Sequence, residues 1–153
     1  MISNYTGVSG SRIAYLAATE LKEHRKILIV VSSGRVAQRL SDDLAFFAPE
    51  ADIIVMPQEE NSLSYEARDK TSLKNRLKGI QALATPKDSS KMVAVIAPVS
   101  AVLKPTVSSE HFNDALIKLE VSDVVDTSEL KRRLAMSGYE AQNVTESTGE
   151  FSS

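Results

Sequence analysis

From Thr6 to Ala14 the chain reads Thr6-Gly7-Val8-Ser9-Gly10-Ser11-Arg12-Ile13-Ala14. This is the frame of a phosphate-binding loop without its reactive side chains. A working loop runs G-x-x-x-x-G-K-[ST] between a strand and a helix. With Gly7 as the first glycine, Val8-Ser9-Gly10-Ser11 fill the middle. Arg12 then stands at the second glycine, Ile13 at the lysine and Ala14 at the Ser/Thr position. The glycine lets backbone approach a phosphate, the lysine contacts the β- and γ-phosphates, and the hydroxyl holds Mg²⁺. All three are replaced, so no cofactor is expected at Gly7, Gly10, Arg12, Ile13 and Ala14. Taken alone, the same residues also read as an ordinary turn before a helix.

The other reactive residue types form no constellation. Glu59, Glu60, Glu66 and Asp69 are oxygen ligands of the kind Mg²⁺ prefers, but no metal-site spacing joins them, and a solvated loop accounts for them. His24 and His111 each stand alone in sequence and read as surface residues. Gly7-Val8-Ser9-Gly10-Ser11 is not G-x-S-x-G, because Ser11 occupies the last glycine position. Lys131-Arg132-Arg133 is a basic cluster whose simplest reading is a solvated helix face. No catalytic residue and no metal site is expected.

Composition narrows the class. The 153 residues are 42% hydrophobic and 25% charged, as in a folded globular protein. A net charge of −2 argues against a dominant nucleic-acid surface. Without cysteine there is neither a disulfide framework nor a thiolate site. No apolar run reaches the length of a membrane span, and the first residues lack a signal pattern. A cytoplasmic protein is the expectation. Asn4-Tyr5-Thr6 and Asn143-Val144-Thr145 match the glycosylation pattern, with nothing else to suggest secretion.

Periodicity supplies the elements that must hold these residues. A helix is expected over Ser11–Glu23, then a strand over Lys26–Val31 whose unbroken aliphatic run suits burial on both faces. A second helix spans Arg35–Phe47, and Asp52–Met56 is a short strand. After a polar loop over Pro57–Glu66, a third helix runs Asp69–Leu83 with Leu73, Leu77, Ile80 and Leu83 on one stripe. Pro86–Ser90 reads as a turn and Met92–Ala97 as a third buried strand. Strands alternating with helices predict a mostly parallel sheet. Beyond Lys104-Pro105 the pattern changes. Ala115–Val121 alternates as a half-exposed antiparallel strand does. Asp126 and Glu129 suggest a capping box, Gly138 a left-handed helix stop with Tyr139 beside it, and Glu140–Thr145 and Glu150–Ser153 short strands.

The order of several segments resembles the N-terminal UvrB-homology module of the bacterial transcription-repair coupling factors. Thr6-Gly7 and the following turn resemble that module's degenerate P-loop. Arg39-Leu40-Ser41-Asp42-Asp43-Leu44 with Phe46-Phe47 resembles its second helix. Pro57, Glu60, Leu63 and Tyr65 fall on a loop that the family writes as a proline, then Trp-Glu, then Leu-Pro-Tyr-Asp. Arg76-Leu77, Ala97-Pro98-Val99, Ala101 and Leu103 continue the likeness. So do Leu134, Gly138-Tyr139, Val144 and Gly149-Glu150-Phe151. Glu59, Ser64 and Glu66 depart from the loop pattern. The family continues with Arg-Gly-Gly and an apolar strand, so the chain reads as a fragment truncated within its second domain.

The resemblance implies a fold and a role. The fold is α/β: a three-layer, mostly parallel sheet related to P-loop NTPases over residues 1–104, then part of a small α+β UvrA-docking domain over 105–153. The role is non-catalytic, helping recruit UvrA to stalled RNA polymerase in nucleotide excision repair. The ATP-dependent DNA translocase motor and most DNA and RNA polymerase contacts lie elsewhere in the parent. Glu150 and Ser152 are the nearest partner-binding candidates, because strand alternation places them on the face of the family's next arginine. The alternatives are a nucleotide-binding ATPase or helicase-like domain, disfavoured by Arg12-Ile13-Ala14, and a UvrB-like DNA-binding module. Against the latter stand 5% aromatic residues and no aromatic cluster after the first helix.

Overall fold

The computed structural model describes residues 4–58, 70–85, 91–106, 108–146 and 149–152. The acidic loop residues Glu59, Glu60, Glu66 and Asp69, with Leu63, Ser64 and Tyr65, lie outside the described residues, as does the turn over 86–90. The chain divides into two compact units, Met1–Ser109 and Glu110–Ser153.

The first unit alternates helix and strand: α1 (Arg12–His24), β1 (Lys26–Val31), α2 (Gly34–Phe47), β2 (Asp52–Val55), α3 (Lys70–Ala84), β3 (Val93–Pro98) and the short α4 (Val99–Val102). The sheet has the order β1-β3-β2 and is parallel throughout. β3, last in sequence, lies in the middle. Its two neighbours complete its hydrogen bonds, and its alternate side chains meet different helices. Ala94 and Ile96 pack with Ala14, Ala18 and Leu21 of α1 and with Ala37, Leu40 and Leu44 of α2. Val95 and Ala97 pack with Met56 and Ala101, flanked by Ile80 and Ala82 of α3. Period-2 alternation thus supplies two apolar clusters from one strand.

β1 corrects an expectation. Its aliphatic run predicts burial on both faces, yet Leu28 and Val30 are 44% and 51% exposed. β1 is an edge strand. Only its Ile27, Ile29 and Val31 face the α1/α2 cluster. Similarly, the α3 stripe is not the buried one: Leu73, Leu77 and Leu83 are exposed, whereas Arg76 is buried and Ile80 packs on the sheet. The helix rotates so that Gly79 meets Met56. A Cβ added at Gly79 would lie 2.7 Å from Met56 Cγ, an approach that only glycine permits.

The second unit holds α5 (Ser109–Ala115), α6 (Thr127–Met136) and a two-stranded parallel pair, β4 (Glu140–Ala141) with β5 (Glu150–Phe151). The antiparallel strand expected over Ala115–Val121 is absent: Ala115 ends α5, and no strand follows until β4. Among the described residues no strand lies alongside to complete a ladder. The Asp123 carboxylate takes the Glu120 N–H at 2.8 Å, and Asp123 N–H donates to the Glu120 carbonyl, closing a turn through Ser122 at φ 82°. α6 begins where its cap predicts. Asp126 accepts from Ser128 N–H and Glu129 N–H. The reciprocal half of the capping box does not form, because the Glu129 carboxylate is taken by Arg132 at 2.7–2.8 Å. α6 ends in a Schellman turn. Gly138 lies at φ 87°, its N–H bonds to the Ala135 carbonyl, and Tyr139 N–H bonds to that of Leu134.

Candidate functional site

The loop over Gly7–Ala14 keeps the shape of a turn into a helix. Gly7 and Gly10 occupy the left-handed region, at φ 69° and 59°. Ile13 N–H reaches back to the Gly10 carbonyl at 3.3 Å, and α1 starts at Arg12. Residues 4–10 before it form no strand. Ile13, at the notional lysine position, is 47% exposed and carries no charge. Ala14, at the notional hydroxyl position, is fully buried in the α1/α2 cluster. A serine or threonine there would face the core rather than a metal ion. At these two positions neither side chain carries an atom that could bind a phosphate or Mg²⁺.

At the carboxyl ends of the strands, where ligands of open α/β sheets bind, the amino end of α2 is filled by the chain's own side chains. Ser33 Oγ accepts from Val36 N–H, and Gln58 Oε1 accepts from Gly34 N–H at 2.6 Å. Sequence reading missed Gln58, since its partner lies across the sheet.

Arg76 was also missed as a functional side chain. It is buried, and its guanidinium donates to the carbonyls of Ala101 at 3.1 Å and Lys104 at 3.5 Å. It therefore ties α3 to the end of α4. A cation in an aliphatic helix stripe gives little local sign of such a distant acceptor.

His24 is not solitary. One helical turn brings Glu20 to 3.4 Å, and Glu20, Glu23 and His24 place ligand atoms within 4.8 Å of one another. Glu20 also accepts from the Tyr5 hydroxyl. The group is largely exposed, and its pairing is that of an i,i+4 helix surface. His111 is exposed on α5.

Glu150 and Ser152 lie in the second unit. β5 pairs with β4 through Glu140 N–H to the Gly149 carbonyl and Gln142 N–H to the Phe151 carbonyl, both at 2.9 Å. Glu150 is half-buried and accepts from Glu146 N–H at 3.0 Å, whereas Ser152 is exposed. In the basic cluster, Arg132 is committed to Glu129. That hydrogen bond, with the nearby Arg132 and Arg133 charges, holds the Glu129 carboxyl below its usual range, and the same bond with the Glu129 charge raises the Arg132 guanidinium.

Comparison with known proteins now bears on this geometry. The chain is similar to the transcription-repair-coupling factor of Bacillus subtilis, 26% identical over 148 residues. It is also similar to that of Staphylococcus aureus, 23% identical over 149 residues. The similarity spans 95% and 96% of this chain but only 12% of each relative. No family profile matches the chain.

Among the described residues no helix is long and apolar enough to cross a membrane.

Proposed function

We propose that this chain is a non-catalytic module of a transcription-repair coupling factor, and that its task is to help bring UvrA to stalled RNA polymerase in the cytoplasm. Similarity to the coupling factors along nearly the whole chain carries the reading. Residues 1–104 are assigned to a three-layer domain descended from P-loop NTPases. A parallel sheet with helices packed on both faces supports this, as do the exposed Ile13 and buried Ala14 that replace the phosphate chemistry. Residues 105–153 are assigned to part of the docking domain. The exposed Leu119, Val121, Tyr139 and Val144 supply apolar surface for the rest of that domain or a partner to cover. Glu150 and Ser152 border the contact. Translocation, and the main DNA and polymerase contacts, belong to the remaining length of the parent.

Interferometry on immobilised UvrA tests this. The expected result is weak or no binding by the 153-residue chain and clear binding by a version extended through the next strand. Lys131, Arg132 and Arg133 reversed to Glu in the extended version should matter less than loss of that strand. Equally tight binding by the 153-residue chain places the docking surface within it. Failure of both overturns the reading. Calorimetry with Mg-ATP covers the catalytic part. Losing the lysine contact alone weakens nucleotide binding by about 10- to 100-fold, so micromolar affinity would contradict a non-catalytic module.

A further inference from the structure

The amino-terminal end of the sheet carries a groove of about 690 Å³ that the coupling-factor reading does not use. Asp52, Ile53, Ile54 and Val55 all line it. Consecutive strand residues point to opposite faces, so a hollow bordered by all four touches the main chain of β2, and Lys26, Lys91 and Val93 carry it across the amino ends of β1 and β3. Its other wall is a stripe of α3 at helical spacing, Asn75, Lys78, Ala82 and Thr85.

The edge of β2 is equipped for pairing. Asp52 N–H and Met56 N–H donate to the carbonyls of Met92, just before β3, and Ile96 within it, both at 2.8 Å. Main-chain direction alternates along a strand, so the N–H and C=O groups of Ile53 and Val55 point away from β3 into the groove. Among the described residues no strand lies along this side of β2. Charge supplies the second feature. Arg25, Lys26, Lys78 and Lys91 line the groove against a single carboxylate, Asp52, in a chain whose net charge is −2. Lys26 is held by the Thr85 carbonyl. Among the described residues no ion pair engages Arg25, Lys78 or Lys91.

We propose that the β2 edge is a docking site for an extended acidic segment of a partner protein, which adds as a fourth strand. Ile53 and Val55 supply the main-chain bonds, and Lys78 and Lys91 meet its carboxylates. Edge addition gives affinity through the main chain and leaves selection to flanking side chains. A nucleic-acid strand fits less well, because among the described residues no aromatic side chain lines the groove for base stacking and phosphates have no use for an outward carbonyl. The site lies wholly in the first unit and is independent of the proposed UvrA contact.

The test titrates the 153-residue chain with a blocked peptide of alternating Glu and Val, followed by fluorescence anisotropy and amide exchange. The expected result is saturable, salt-sensitive binding with slowed exchange at the Ile53 and Val55 amides. Combining Lys78→Glu with Lys91→Glu should weaken it by about tenfold or more. Val55→Pro removes one outward donor while leaving the β3 ladder, a placement that edge strands tolerate. It should abolish binding with circular dichroism unchanged. Binding without protection of Ile53 and Val55, or equal binding of single-stranded oligothymidine, overturns strand addition in favour of a general anion surface. No binding overturns it too, leaving the lysines as guards that keep a short edge unpaired.

Discussion

Arg76 shows what one side chain contributes. Its guanidinium satisfies the carbonyls of Ala101 and Lys104 where α4 ends. Arg76→Leu keeps apolar bulk but strips those partners, and a buried unsatisfied group costs about 1–3 kcal/mol. Chemical denaturation should show a loss of that size, and Arg76→Lys should recover only part of it, since one ammonium lacks the planar fork. Glu129 makes a pH-dependent contribution. Its carboxyl is held below the usual range by the Arg132 hydrogen bond. A depressed folded value means stabilisation present above the unfolded carboxylate's pKa, about 4.3, and lost as pH falls through the folded value. Acidification below about pH 4 should therefore loosen α6, followed by NMR shifts of Glu129. Arg132→Met should move that titration upward.

Elements depend on where they can approach and where they can stop. α3 lies close to the end of β2 because Gly79 has no side chain to meet Met56. Gly79→Val should cost about 1–3 kcal/mol by overpacking, and Met56→Ala in the same chain should restore part of it. A double-mutant cycle on thermal unfolding measures the coupling. α6 relies on its ends more than on burial, since none of its residues is buried. Asp126→Ala removes the acceptor for two N–H groups and should cost about 1 kcal/mol, seen as lost helicity at 222 nm.

Across the whole molecule, stability is uneven. Every buried apolar residue among those described belongs to the first unit, from Ala14 to Ala101. The second unit is held by caps, one short strand pair and partly covered side chains. Regions with few buried contacts open at lower free energy. Amides of Ile27, Ile29 and Ile96 should therefore exchange far more slowly than those of Leu134, Glu140 and Gln142. Hydrogen-exchange mass spectrometry reads this order directly, and uniform protection across both units would contradict it.

Local signals fared well for helix bounds and stops. Helix spans, the Asp126 cap and the Gly138 stop were legible because capping and periodicity act within a few residues. Tertiary packing decided the rest. The runs Lys26–Val31 and Val93–Pro98 look alike in sequence, yet one is an edge and the other the centre. That difference is set by which strand finds two neighbours, and neighbours are fixed by crossovers of distant helices. The same long-range packing turned Arg76 inward, brought Gln58 to Gly34, and gathered four cations around the groove at the amino end of the sheet. None of these has a local signature, because each depends on a group tens of residues away.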